Sequence, residues 1–387
     1  MSPGPLSGTG AQTSRRTFMI GAGAATVAAL SGCSSAESSG SGDTTAAPRT
    51  SQPAQAAVTK LPAAPDRPDH VLLFGGQGAL GLGARPDLGY SDGYLDNIDF
   101  PLDGITAYVH LFPDSDVYNE AQHQFGTYLE RPELTDTIVH LSSAWISENF
   151  SEERNAELQR TVTDGSLDGA IDQLAQWCRD TPNPILFRLG YEFDREPPKY
   201  YDPAHYADSY RYIIDRVRSA GATNVATVWA SANLPTQTLS AEQFTALYPG
   251  DDYVDWFGMS AFVPVLDPTM MAEARSRQKP VLITESSPLG LNIGDMKQYP
   301  LTTDDVPGTP MTPDELWEAW FGPTLRLIDD NADAIAGIHY ISNDWSKDAM
   351  WSTHFAFAHC DARVWANPDI KARWIDTITH APFGERA

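Results

Sequence analysis

Cysteine is scarce in this chain, with three residues among 387. Neither cysteine nor histidine occurs at the spacing of a metal site, so the sequence predicts no bound metal and no cofactor. Cys178 and Cys360 are permitted to form a disulfide in an oxidising compartment. A plain buried thiol is equally consistent at Cys178, because this residue falls on the apolar face of a predicted helix.

Lysine is also scarce. Six lysines stand beside twenty arginines, and 51 acidic residues leave a formal net charge of −25. So negative a surface repels nucleic acid and other anionic polymers, which excludes them as partners. A neutral or cationic substrate is the natural expectation. Adaptation to high salt is an equally consistent explanation of the charge.

The N-terminal apolar stretch, residues 19–30, is too short and too weakly apolar for a membrane-spanning helix. The twin arginines Arg15 and Arg16 before it match a twin-arginine export signal. The following Leu30-Ser31-Gly32-Cys33 resembles a lipoprotein cleavage box and predicts lipidation of Cys33. Residues 1–33 are therefore interpreted as a signal for export and for lipid anchoring at the outer face of the cytoplasmic membrane. An uncleaved anchor with an ordinary Cys33 is the alternative.

Large apolar side chains are almost missing from residues 34–65, which are rich in Ser, Gly, Thr and Ala. Such a segment cannot offset the entropy of ordering, so it is predicted to be a disordered tether. Residues 66–387 contain neither a second low-complexity linker nor an internal repeat. They are predicted to form one domain, with a length a little above that of a typical (β/α)8 barrel.

Apolar runs alternate with amphipathic helical patterns through this body, as in βα units around a parallel sheet. Eight such units favour a closed (β/α)8 TIM barrel over an open doubly wound sheet. The glycines at 75–78 lack the full dinucleotide-binding pattern and give the open sheet little support. Residues 286–311 are interpreted as a long loop that walls or covers a cleft. The predicted strands are 71–75, 104–109, 137–142, 185–190, 224–230, 254–260, 281–285 and 334–341.

Two glutamates stand where apolar runs stop. Glu192 follows the run 184–191, and Glu285 follows the run 280–284. An ionised carboxylate at the end of a buried strand is costly unless it is paired, hydrogen-bonded or used in chemistry. Because catalytic groups of such barrels lie at the carboxyl ends of strands, the two residues are candidates for paired acid and base work. Simple solvated strand ends are the alternative for either one alone.

Four ordered blocks of the sequence resemble glycoside hydrolase family 26, a family of retaining (β/α)8 enzymes that are chiefly β-mannanases. Some members act on β-1,3-xylan or mixed-linkage β-glucan. The blocks are RLGYE at 188–192, GATNVATVW at 221–229, YPGDDYVDWFG at 248–258 and KPVLITE at 279–285. The resemblance is good over residues 184–285 and loose for the first three strands and the last.

The resemblance implies that Glu192 is the general acid/base and Glu285 the nucleophile of a double displacement. One carboxyl must hold a proton for the departing oxygen while the other stays ionised to attack the anomeric carbon. Arg188 shares strand parity with Glu192, so its permanent charge is predicted to point into the barrel and keep Glu285 ionised. Neutralising another inward carboxylate is the alternative role for Arg188.

Aromatic residues near the strand ends are candidates for substrate contacts. Trp229 and Trp345 have flat faces that suit the C–H surfaces of sugars, with ordinary core packing as the alternative. Tyr191 stands where the family usually has histidine, and Phe262 where a tyrosine normally hydrogen-bonds the nucleophile. Since a phenyl ring cannot donate that bond, another donor is expected, and His339, Ser260 and Tyr253 are the candidates.

Together these features predict a surface-tethered, cofactor-free retaining glycoside hydrolase that cleaves β-linked polysaccharide, with β-mannan first and β-1,3-xylan or β-glucan next. A carbohydrate-binding surface lipoprotein with a degenerate barrel is the competing hypothesis. Tyr191 and Phe262 favour it, whereas the retained pair Glu192 and Glu285 opposes it.

Overall fold

The computed structural model describes residues 70–76, 93–147, 149–195, 200–235, 237–348, 351–380 and 382–383. The predicted signal (1–33), its Cys33 and the predicted tether (34–65) lie outside these residues. Within the described ranges, no helix is long and apolar enough to cross a membrane.

Eight parallel strands close into a barrel, which confirms the predicted fold class. Each observed strand lies within two residues of its predicted ends, because the apolar runs that identify the strands are also what the barrel buries. The strands of the barrel are β1 (Leu72–Gly75), β2 (Gly104–His110), β3 (Ile138–Ala144), β4 (Ile185–Leu189), β5 (Val225–Ser231), β6 (Trp256–Ser260), β7 (Val281–Ser286) and β11 (Ile335–Tyr340).

Helices lie between the strands of this barrel, in line with the predicted alternation of apolar runs and helical patterns. The α-helices are α1 (Tyr94–Asn97), α2 (Val117–Ala121), α3 (Thr127–Leu129), α4 (Glu152–Thr161), α5 (Asp168–Asp180), α6 (Tyr206–Ser219), α7 (Ala241–Leu247), α8 (Pro268–Ser276), α9 (Pro313–Ala319), α10 (Phe321–Asp330) and α11 (Pro368–Ile378). The start of α9 is a complete capping box, in which Thr312 and Glu315 each bond the other's backbone N–H. A π-helical turn (Gln122–Gly126) separates α2 from α3.

The segment predicted as a long loop, 286–311, is instead folded into a small antiparallel sheet. Its strands are β8 (Leu291–Asn292), β9 (Lys297–Gln298) and β10 (Thr309–Pro310), in the order β10-β9-β8. Strands of two residues carry no readable alternation of polar and apolar side chains, so the sequence pattern could not identify them.

Two clusters of buried apolar side chains stabilise the barrel. The larger one lies between helices and strands, and a smaller one fills the barrel with Leu72, Phe74, Leu186, Ala226, Val228, Trp256, Leu282 and Ala336. Leu186 therefore points inward, and so does Arg188 two residues later on the same strand. The position of Leu186 in the interior cluster thus agrees with the predicted inward direction of the Arg188 side chain.

Both described cysteines are free and buried. Cys178 lies on the inner face of α5, and the Cys360 thiol donates to the Pro288 carbonyl oxygen at 2.9 Å. Cys178 is therefore a buried thiol in this structure, and it does not form a disulfide with Cys360. Burial raises the pKa of the Cys178 thiol to about 12, so it remains protonated.

Candidate active site

The chain turns sharply after β4, and this turn positions Glu192. Gly190 and Glu192 both adopt left-handed backbone conformations, each with φ of 56°. The Glu192 amide donates to the Ala230 carbonyl oxygen at 2.8 Å, which ties the turn to the end of β5. A non-glycine residue in this conformation is unusual and is often found at functional sites.

The side chain of Asp194 also holds this turn against the end of β5. Its carboxylate accepts from the Ser231 hydroxyl at 2.5 Å and from the Ala232 amide at 2.7 Å. Burial, outweighing these hydrogen bonds, raises the pKa of Asp194 to about 6. The Asp194 side chain is thus turned toward the end of β5.

Glu285, near the end of β7, forms an ion pair with Arg188 across the barrel. The Nη1 atom of Arg188 donates to Oε1 of Glu285. Arg188 is fully buried and Glu285 is 8% exposed, so little solvent screens the pair. Burial opposes the charge of Arg188, but the neighbouring charges, Glu285 first, outweigh it and raise the pKa of the guanidinium.

Ser260, the last residue of β6, connects the two glutamates. Its hydroxyl donates to Oε1 of Glu192 at 3.2 Å and accepts from Nη2 of Arg188 at 3.4 Å. Arg195 contacts the other Glu192 oxygen at 3.3 Å. One network of hydrogen bonds thus runs from Glu285 through Arg188 and Ser260 to Glu192, at the carboxyl ends of β4, β6 and β7.

Two buried histidines lie within the barrel interior. His339 places its ring nitrogens against the backbone carbonyl oxygens of Thr284, at 2.8 Å, and Gly76. Burial lowers the pKa of His339 to about 4 and that of His140 well below its usual value. Both rings are therefore neutral near pH 7. His339, an expected substrate contact or donor to Glu285, is engaged by backbone instead.

Two predicted aromatic contacts are buried. Trp229 is fully buried and stacks on Phe193 with ring centroids 3.9 Å apart. Trp345 is 1% exposed, and its indole N–H donates to the Ser287 hydroxyl at 3.0 Å. The core-packing alternative therefore applies to Trp229, and in this structure Trp345 offers no open face to a sugar.

The remaining predicted site residues lie in different surroundings. The Tyr191 ring is contacted by the Arg188 guanidinium, whose Cζ is 4.7 Å from the ring centroid. Phe262 packs edge-on against Phe357 at 5.7 Å, on an apolar cluster formed by the segment after β11. Tyr253, a suggested donor, instead donates to Asp215 at 3.1 Å. Of the suggested donors, Ser260 alone joins the glutamate network.

Asn233 is a site residue that sequence reasoning missed. It also has positive φ, at 51°, and its amide donates to the carbonyl oxygens of Ser260 and Val265 at 2.7 Å each. It thereby fixes the end of β6, on which the Ser260 hydroxyl depends. An asparagine two residues after the end of β5 was the available signal, because asparagine tolerates left-handed backbone.

The arrangement suits proton transfer and nucleophilic attack by carboxylates. Glu285 is paired with the fully buried Arg188, whereas Glu192 contacts the neutral hydroxyl of Ser260 and the partly exposed Arg195, so the two environments differ. Among the residues that the structure describes, no group of three or more His, Cys, Asp or Glu side chains is positioned to hold a metal ion. The expectation of a metal-free and cofactor-free protein stays a prediction.

Comparison with known proteins identifies relatives. Residues 124–292, which include both glutamates, match the model of Glycosyl hydrolase family 26. A Beta-1,3-xylanase of Alcaligenes sp and Beta-1,3-xylanase TXYA of Vibrio sp are each 32% identical over 240 residues. These matches cover 59% of this chain and 50% of each relative, so the chain spans about half the length of the curated relatives it matches.

Solved structures share the fold. A Cellulomonas fimi endo-beta-1,4-mannanase double mutant is similar with a TM-score of 0.55 and 15% identity, covering 82% of this chain and 72% of that one. A GH26 beta-mannanase from Bacteroides ovatus gives a TM-score of 0.54 and 16% identity, covering 81% and 89%. At such identities the likeness shows the barrel fold alone.

Proposed function

We infer that the chain, which belongs to glycoside hydrolase family 26, hydrolyses a β-linked polysaccharide with retention of configuration. The observation that carries this proposal is the network joining Glu285, Arg188, Ser260 and Glu192 at the barrel's carboxyl end. It supplies two carboxyl groups in different electrostatic surroundings, as a double displacement requires.

In the first step the Glu285 carboxylate attacks the anomeric carbon while the glycosidic C–O bond breaks. Glu192 gives its proton to the departing oxygen, and a glycosyl ester of Glu285 forms. In the second step Glu192 takes a proton from water, which attacks the same carbon and releases Glu285 as a carboxylate. Arg188 stays charged throughout and holds Glu285 in place between the steps.

For the substrate we place β-1,3-xylan before β-mannan and β-glucan. The curated relatives at 32% identity are named β-1,3-xylanases, whereas the mannanases at 15–16% identity support only the fold. A neutral polymer also suits a chain with a net charge of −25, since such a chain would repel an anionic polymer.

The test is release of reducing ends by the full chain from β-1,3-xylan, β-mannan, galactomannan and mixed-linkage β-glucan. Glu192→Gln and Glu285→Gln are expected to abolish release, whereas Glu318→Gln, on the exposed face of α9, leaves it unchanged. Proton NMR of the first anomer formed distinguishes retention from inversion. Sugar binding without release, unaffected by both active-site variants, would instead support the carbohydrate-binding lipoprotein.

We also propose that the chain is exported by the twin-arginine route and anchored through a lipid on Cys33, with residues 34–65 as the tether. The sequence signals at residues 15–16 and 30–33 support this proposal. Metabolic labelling with a fatty acid tests it: label should enter the wild-type chain and be lost in Cys33→Ser. Equal labelling of both chains would exclude lipidation at this residue.

A further inference from the structure

Tyr108 lies at the level of Arg188 within the barrel. The strand register pairs Tyr108 of β2 with Ser142 of β3, and Ser142 with Arg188 of β4. Residues paired in this way point to the same face of a sheet. Tyr108 therefore points into the barrel mouth, where its ring meets Tyr191 edge to face at 5.8 Å.

The Tyr108 hydroxyl is buried, and among the described residues no partner meets ordinary hydrogen-bond distance and angle limits for it. A buried hydroxyl without a partner is unfavourable, so its presence calls for an explanation. Burial first, and next the charge of the adjacent Glu285, raise the pKa of Tyr108 well above its ordinary value. The hydroxyl thus keeps its proton beside a carboxylate.

Other candidate donors to Glu285 are directed elsewhere. Phe262 has no hydroxyl and packs against Phe357. The Ser260 hydroxyl donates to Glu192, and the His339 ring lies against backbone carbonyl oxygens. Tyr108 is placed to take up the role, because its protonated hydroxyl lies beside the Glu285 carboxylate and has no other partner among the described residues.

We propose that Tyr108 donates a hydrogen bond to the Glu285 carboxylate and is a positioning residue for the nucleophile, supplied by β2 rather than by the segment after β6. The bond favours the charged form of Glu285. It therefore weakens when the glycosyl ester forms and is regained when the ester breaks, so it should accelerate the second step most. This consequence for rate rests on the proposed function, whereas the hydrogen bond itself does not.

The first experiment requires no turnover. In the full chain labelled with [δ-¹³C]glutamate, the Glu285 signal is assigned by its loss in Glu285→Gln, and its titration midpoint is measured. Tyr108→Phe should move that midpoint upward by roughly half to one pH unit, because a donor to the carboxylate is lost. The matched control, Tyr210→Phe, removes another buried hydroxyl, on α6, and should leave the midpoint unchanged.

A second variant guards against misfolding of Tyr108→Phe. Replacing Tyr108 with 3-fluorotyrosine keeps the shape and makes the hydroxyl more acidic, so the Glu285 midpoint should move downward. An unchanged midpoint in both variants would overturn the proposal.

Kinetics then separate this proposal from the proposed function. On β-1,3-xylan, Tyr108→Phe should lower kcat about 10- to 100-fold and also lower KM, since the ester accumulates. The acidic limb of kcat/KM should move upward with the NMR midpoint. A wild-type chain that cleaves no polymer would defeat the proposed function and leave the titration to decide on Tyr108. An active chain whose Tyr108→Phe variant is kinetically unchanged would contradict the role of Tyr108.

Discussion

Glu192 and Glu285 occupy surroundings that predict different responses to substitution. Glu192 is contacted by Ser260 and Arg195, whereas Glu285 is paired with the buried Arg188. Removal of an acid/base matters less when the leaving group needs no proton, but loss of the nucleophile affects every substrate.

Glu192→Ala is therefore expected to form the glycosyl ester from a dinitrophenyl β-xylobioside and to hydrolyse it about 10²- to 10⁴-fold more slowly. Azide, which needs no general base, should restore turnover and give a β-glycosyl azide. Stopped-flow release of dinitrophenol and NMR of the product measure both effects. Glu285→Ala serves as the comparison, because azide there should yield either nothing or the α-azide.

Asp194 gives a prediction about stability and pH. Its folded pKa of about 6 lies above its ordinary value of 3.8. The folded state therefore keeps a proton that the unfolded state loses between these pH values, so the contribution of Asp194 to stability is fully present below pH 4 and is lost as pH rises through 6. This loss amounts to about 3 kcal/mol.

Asp194→Asn should remove this decline, so the difference in unfolding free energy between wild type and variant changes between pH 4 and 7. Denaturant unfolding at several pH values measures it. Asp330→Asn, on an exposed helix end, is the control that should run parallel to wild type. Parallel curves for Asp194→Asn would contradict a raised pKa.

Some residue roles could be predicted from the sequence and others could not, because the others depend on which distant segments pack against the residue. Strand parity sufficed for the direction of Arg188, because alternation is local. Trp229 and Trp345 carry the same local signals as sugar-contacting residues, but neighbours from distant segments cover them. Tyr108 had an inward parity that could have been read, although nothing in the sequence indicates that it lies beside Glu285.

At the scale of elements, the turn after β4 is the piece that the site depends on most. Gly190 has positive φ, and a Cβ there would come within 2.7 Å of the Trp145 ring. Its carbonyl oxygen also accepts from the Tyr206 hydroxyl at 2.9 Å. The position of Glu192 thus depends on a glycine two residues earlier.

Gly190→Ala is expected to lower the free energy of unfolding by about 1–3 kcal/mol, since it combines backbone strain with overpacking. It should also lower kcat by misplacing Glu192. The matched control is Gly169→Ala in α5, where a Cβ meets nothing within 4 Å. Because alanine favours a helix, that variant should be stabilised by about 0.4–1 kcal/mol. Thermal unfolding with paired activity assays checks both; equal stability of the two variants would argue against strain at Gly190.

Elements were predictable where burial and periodicity coincide. The eight barrel strands follow from apolar runs in the sequence. The small sheet β8–β10 was predicted as a loop, because its short strands show no alternation of polar and apolar residues in the sequence. Contacts with distant residues hold it in place instead. Asn292 and Ile293 bridge to Asp361, which is far away in the sequence.

At the scale of the molecule, the net charge of −25 gives a prediction about salt. Like charges on a folded surface repel one another, and the Debye length falls from ~30 Å at 0.01 M to ~3 Å at 1 M salt. The Tm should therefore rise with NaCl over this range. Sucrose at matched osmolality is the control for general exclusion effects. A Tm that falls or stays level would show that self-repulsion does not limit stability.

The barrel closes between its first and last strands, since β1 pairs with β11, and the Val71 amide donates to the Pro382 carbonyl oxygen at 2.9 Å. During synthesis the sheet therefore remains an open ribbon until residues 335–340 emerge from the ribosome. The unpaired edges of that ribbon are templates for wrong pairing between chains. Contacts between residues some 265 positions apart also make folding slow. Truncation from residue 368 onward removes α11 and the Pro382 carbonyl that binds the Val71 amide at β1. It should thus lower the yield of folded protein, although both glutamates are retained.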